Sequence, residues 1–188
     1  LDTVLARYEA GLSDNLTRRV FQRIAASRLA DGTEESWHRD AVDLAARFGM
    51  NPVAEPPQAA YSWDGAQVRV ISEAAVLLHE IAHYQLASPA RRARLDFGLG
   101  AGPETGFSDI AELARSADES TREAEEQQAS LLGVLWQLEL GQPGMEAFQE
   151  QNWLEGAGRP STARFFVETS RELAAIEDGV EIGEHRGP

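Results

Sequence analysis

The chain contains no cysteine, which excludes disulfides, thiolate metal sites, iron–sulfur clusters and cysteine nucleophiles at the outset. It also contains no lysine. All 17 basic residues are arginine, so Schiff-base chemistry and the lysine of a phosphate-binding loop are excluded as well. Apolar runs are short: Ala74 to Leu78 is among the longest, far below the ~20 residues of a membrane-spanning helix. No basic segment followed by an apolar one marks the start as a targeting signal, so the expectation is a cytoplasmic protein with no membrane partner. Positive charge is scarce. With 31 acidic residues against 17 basic ones the formal charge is -14, and such a surface repels phosphate backbones, so nucleic acid is not an expected partner.

What is present suits one folded unit. The 188 residues are 43% hydrophobic and 26% charged, ordinary globular usage and enough chain for one sizeable core. Residues 1–50 read as helices. Leu16, Val20 and Ile24 recur at helical spacing after the capping candidates Ser13 and Asp14, and Trp37, Ala41, Leu44, Ala45 and Phe48 do so before Gly49. Asn51 to Pro57 holds three prolines and reads as an extended connector. Over residues 58–71, Asp64-Gly65 stands between short aromatic and β-branched stretches and predicts a β-hairpin.

Residues 72–156 carry the informative motifs. Ser72 is placed to cap a helix from Glu73 to about Ala87, apolar on most sides, which Ser88-Pro89 ends. A glycine-rich loop, Gly98 to Gly106, precedes a weak helical stretch over Ile110 to Ala114. Asp118 to Thr121 then offer caps for a long helix ending at Leu140, before Gly141-Gln142-Pro143. A last helix is expected over residues 161–178. The predicted fold is a mainly α single domain with one small hairpin.

The central helix contains His79-Glu80-Ile81-Ala82-His83, two of only four histidines, spaced so that both imidazoles leave the same helical face. This composition produces the pattern by chance in roughly one chain in a hundred, so its position on an otherwise apolar helix is informative. The alternative is a pair of core histidines beside a buried glutamate, an expensive arrangement with no cation to balance it. Two histidines need at least one further ligand. A third histidine six residues on, as in metzincins, is absent, because Pro89 stands there. The long helix supplies Glu123, Glu125 and Glu126. Its small-residue stripe, Ala129, Ser130 and Gly133, puts Glu126 at a close helix–helix contact, whereas Leu131, Leu132, Leu135 and Leu138 would put Glu125 nearest the core. Glu126 ranks first as third ligand, with Glu125 and Glu123 as alternates. The expected architecture is thus a zincin-like motif helix packed on a second, ligand-bearing helix.

His79-Glu80-Ile81-Ala82-His83-Tyr84, then Ala87, Arg91-Arg92 and Asp96-Phe97-Gly98, resemble the metal-binding segment of the elongation factor P hydroxylase family. Gly141-Gln142-Pro143 and Asn152 with Leu154-Glu155-Gly156 extend the resemblance, which spans roughly residues 70–156. Anchored on the Gly-x-Pro turn, the family's glutamate ligand falls on Glu126 and a second acidic position on Glu123. The glycine-rich loop departs from the family in lacking aromatic residues. The resemblance implies a non-haem Fe(II), oxygen-dependent hydroxylase acting on a modified lysine of a protein substrate, elongation factor P. The residues themselves allow Zn(II) equally, with Glu80 as general base of a gluzincin-like peptidase, or a non-catalytic, metal-stabilised binding protein.

Other residues carry weaker signals. Arg91, Arg92 and Arg94 form the one basic cluster and could hold a substrate carboxylate, intramolecular pairing being the simpler alternative. Tyr84 could line the site, or simply pack. His38 and His185 read as surface residues, and Trp153 reads as the anchor of a turn near the site.

Overall fold

Local side-chain caps set where three of the longer helices begin. The structure, a computed structural model, describes residues 2–154 and 162–184, with side chains of the last helix through residue 176. Expectations about Glu155, Gly156, Ser161 and His185 lie outside the described residues. Helix α1 spans Asp2–Ala10 and α2 spans Asn15–Ala26, where the Asp14 carboxylate accepts from the Thr17 N–H at 2.8 Å. Helix α3, Glu34–Arg47, opens with a reciprocal capping box between Thr33 and Ser36. The face that α2 buries is rotated from the expected one. Thr17, Phe21 and Ile24 point inward while Leu16 stays 36% exposed, because Phe21 enters an aromatic cluster with Tyr8, Phe148 and Phe166.

The expected hairpin is present only as its turn. Asp64 Oδ1 accepts from the N–H groups of Ala66 and Gln67, Gly65 takes φ +96°, and a single antiparallel bridge joins Trp63 to Val68. The strand pairing is different and parallel: β1, Pro52–Val53, lies against β2, Val68–Arg69. Strand β1 belongs to the supposed connector. Its one proline, Pro52, is tolerated because it need donate nothing to the ladder, which runs through bonds such as Val68 N–H to Met50 O and Val70 N–H to Val53 O.

Helix α4 spans Ala74–Leu86 and is followed by the single turn of α5, Pro89–Arg92. Ser72 does not cap α4. Glu34 of α3 does, its Oε1 accepting from the Ala74 N–H at 2.6 Å. Helix α6 is Ser108–Leu113 and α7 is Glu119–Glu139, capped by Asp118 as expected and stopped at Gly141, whose φ is +71°. Helix α8, Gly144–Glu150, had no clear sequence signal; α9 is Ala163–Glu184.

Helices α4 and α7 make the most extensive contact in the fold, and apolar clusters flank them. One gathers Tyr8, Phe21, Phe148, Trp153 and Phe166; the other gathers Leu44, Trp63, Leu77, Ile81 and Phe97. The small-residue stripe lets α4 and α7 approach closely. A Cβ at Gly133 would lie 3.3 Å from both the N and the Cα of His79. The motif helix is therefore held where its contact with α7 is tightest. Among the described residues no helix is long and apolar enough to cross a membrane.

Candidate metal centre

The approach of α4 to α7 brings three donor atoms together at a cavity of about 420 Å³. His79 Nε2 lies 3.0 Å from His83 Nε2, Glu126 Oε2 lies 3.3 Å from the first, and the same oxygen lies 3.5 Å from the second. Ligands held ~2.1 Å from one cation at angles between octahedral and tetrahedral are separated by ~3.0–3.4 Å. Two of the three separations fall in that range and the third just beyond it, so the group could hold a divalent ion. Its open side faces the cavity, whose wall includes Glu80, Asp96, Ser62 and Thr105.

Glu125 and Glu126, adjacent on α7, divide the roles that the helix wheel left open. Glu126 faces the imidazoles. Glu125 is buried at 6% exposure and engages Arg91 through two bonds of 2.6 Å, while its Oε1 lies 3.4 Å from His83 Nδ1. That is the long end of hydrogen-bond range, on the ring nitrogen that a metal-binding imidazole leaves to a carboxylate. His79 Nδ1 is buried with no such partner. Glu123 is exposed and outside the cluster.

The electrostatics follow from burial among carboxylates. Burial pushes the Glu80 carboxyl up to about 7; the His83 charge opposes this, and the Asp96 and Glu126 charges reinforce it. For His83 burial acts downward, yet hydrogen bonds to Glu125 and Glu126 outweigh it and bring the imidazole up to about 9. Burial lowers His79, with Glu126 opposing. Glu126 itself is held well below the usual carboxylate range by the two imidazoles, against the effect of burial.

Asp96 is the site residue that sequence reasoning left unassigned, although Asp96-Phe97-Gly98 belongs to the segment that carries the resemblance. Asp96 and Phe97 adopt φ of +40° and +56°, and Gly98 follows at +69°. Two non-glycine residues in that region cost of order 1–3 kcal/mol each. The strain is offset locally. Asp96 accepts from the Trp63 N–H at 3.1 Å and the Thr105 hydroxyl at 2.6 Å, and Phe97 stacks on both Trp63 and His83. Burial raises the Asp96 carboxyl above its ordinary value, and those donors oppose the shift. The glycine-rich loop forms part of the site, since Leu99, Gly100, Gly102 and Thr105 wall the cavity.

The remaining sequence candidates make contacts within the fold. Arg92 donates to the carbonyls of Tyr84 and Gln85 and sits 4.6 Å from the Tyr84 ring centroid, so neither Arg92 nor Tyr84 faces the cavity. Arg91 is committed to Glu125 and to the Phe97 carbonyl. These contacts engage three of its five N–H groups, and Arg91 does not line the cavity. His38 is half-buried rather than on the surface, its Nε2 lying 2.5 Å from the Val70 carbonyl. Trp153 is buried and donates to Ser130 Oγ at 2.7 Å, bracing a residue of the cavity wall. Comparison with known proteins gives no match, neither to a family model nor to a curated protein nor to a solved structure.

Proposed function

We propose that the protein is a divalent-metal-dependent enzyme, and that its chemistry is Fe(II)- and oxygen-dependent hydroxylation of a protein side chain, as in the elongation factor P hydroxylases it resembles. The observation that carries the metal reading is the triangle of His79, His83 and Glu126 at 3.0, 3.3 and 3.5 Å, opening onto a cavity. Two imidazoles and one carboxylate on a single face leave coordination positions for dioxygen and substrate, the redox chemistry being the iron's to supply. Glu80, with a carboxyl near 7, exchanges a proton at the cavity wall near neutral pH. Ser62, Asp96 and Thr105 form the polar wall opposite the ligand helix.

Two further observations favour side-chain modification over peptide cleavage. The cavity, about 420 Å³, suits one long side chain. Both strands among the described residues are two residues long, which leaves no extended edge to receive a peptide in β pairing. The competing reading, a zinc peptidase with Glu80 as general base, draws on the same carboxyl near 7 beside the ligand triangle.

The test begins with metal analysis of protein purified without added metal, with His83→Ala as control. Anaerobic loading with Fe(II) followed by oxygen should then add one oxygen atom to a translation-factor substrate such as elongation factor P, read by mass spectrometry. Zn(II)-dependent cleavage of peptides that disappears in Glu80→Gln would favour the peptidase instead. Stoichiometric binding with no turnover under either metal would leave a metal-stabilised binding protein.

A further inference from the structure

Arg91 belongs to a short helix that contributes no ligand, yet all three of its guanidinium nitrogens are spent around one imidazole. Nη1 and Nη2 donate to the two oxygens of Glu125 at 2.6 Å each, and Nε donates to the Phe97 carbonyl at 2.9 Å. Both ends of this ion pair are largely withdrawn from water, with 18% and 8% of the side chains exposed. Each of its partners touches His83. Glu125 faces Nδ1 at 3.4 Å, and the Phe97 ring lies against the imidazole with centroids 5.8 Å apart at 24°.

We propose that Arg91 is a positioning residue of the metal centre: it fixes Glu125 against the Nδ1 edge of His83 and Phe97 against its face, so that Nε2 is presented to the cation. The inference rests on the metal reading above. A planar fork is needed for this task, because it must satisfy a bidentate carboxylate and a carbonyl at once in fixed directions. A lysine ammonium keeps the charge and loses that geometry. Outer partners of metal-binding histidines contribute ~10–100-fold to metal affinity.

The experiment compares Zn(II) affinity, by chelator competition, in the full chain and in Arg91→Lys, Glu125→Gln, Glu126→Gln, His83→Ala and Arg92→Lys. Arg91→Lys and Glu125→Gln should each bind one ion ~10–100-fold more weakly. His83→Ala and Glu126→Gln should lose binding, and Arg92→Lys should retain it. In the Zn(II)-loaded protein the His83 Nδ1 proton should exchange slowly by NMR and faster in Arg91→Lys. A role confined to fold stability would lower the melting temperature without moving that exchange rate or the affinity. Arg91→Lys with parental affinity, alongside a His83→Ala that no longer binds, overturns the positioning role and leaves the metal site standing. Abolished binding in Glu125→Gln with no change in Arg91→Lys overturns it too, by making Glu125 a ligand. Should Arg91→Lys not fold, a Glu125→Gln with parental affinity and proton exchange overturns the relay from its other end. Zn(II) binding that survives unchanged in His83→Ala overturns the metal reading and this inference with it.

Discussion

Replacing Gly133 by alanine tests the contact on which the site depends. In the interior of a 21-residue helix, Gly→Ala adds ~1 kcal/mol of stability through backbone entropy alone. Here the new methyl would lie 3.3 Å from the N and the Cα of His79 and 3.5 Å from the carbonyl carbon of Leu78. Those are main-chain atoms of a packed helix and cannot turn aside. Carbon atoms prefer ~3.5–4.0 Å, so α4 and α7 must separate by a few tenths of an ångström, at an overpacking cost of ~1–3 kcal/mol. The cost exceeds the gain, and Gly133→Ala should lose about 1 kcal/mol in urea denaturation of the metal-free protein. Glu126 stands seven residues earlier on the same stripe, ~10 Å along the axis, and ligand distances tolerate only ~0.2 Å. Metal affinity should therefore fall in Gly133→Ala but not in Leu173→Ala, a destabilising change in the other apolar cluster. A Gly133→Ala protein more stable than the parent by ~1 kcal/mol would show slack between the helices and refute the argument.

Ile81 is fully buried on α4 between His79 and His83, and Ile81→Ala should cost ~2–5 kcal/mol in the same denaturation assay. Chelation of metal-loaded protein should lower its thermal midpoint to that of the metal-free parent and leave the midpoint of His83→Ala unmoved, because a ligand that binds only the folded state stabilises it by mass action. Asp14 caps α2, and its carboxyl is held below its ordinary value, first by the Thr17 N–H and then by the Thr17 and Arg171 side chains, against burial. Since the folded value is the lower one, this stability is present above the unfolded value, ~4, and is lost as pH falls through the folded value. Asp14→Asn keeps an acceptor oxygen but no charge. It should be less stable than the parent at neutral pH and converge with it in acid, by denaturation across pH.

The parts of the site legible in the sequence are those fixed within a few residues. The spacing of His79 and His83 dictates a shared face whatever surrounds the helix, and Asp14 and Asp118 act on N–H groups three residues away. The small and large stripes of α7 point in different directions, and both readings hold: Glu126 reaches the imidazoles while Glu125 is the buried one. What was not legible depends on partners distant in sequence. Glu34 caps α4 from 40 residues away, and the parallel pairing of β1 with β2 joins two-residue segments whose local pattern is too short to specify a neighbour. The left-handed Asp96 and Phe97 are held by Trp63 and Thr105, contacts that no local propensity encodes.

The charge balance around His83 is one that a cation in the triangle would ease. Among the described residues, Glu80, Asp96 and Glu126 line the cavity beside the imidazoles and Glu125 lies just behind it, four carboxylates facing the Arg91 guanidinium and the His83 imidazole. Like charges gathered out of water repel strongly, since two unit charges 4 Å apart interact by ~4 kcal/mol even at an effective dielectric of 20. The fold relieves part of this by keeping Glu80 near 7 and by placing proton donors on Asp96. A divalent cation in the triangle would relieve most of the rest, at the position where His79, His83 and Glu126 already point. Metal binding and the stability of the α4–α7 contact would then be the same interaction seen from two sides, because an ion there would join Glu126 of α7 to His79 and His83 of α4.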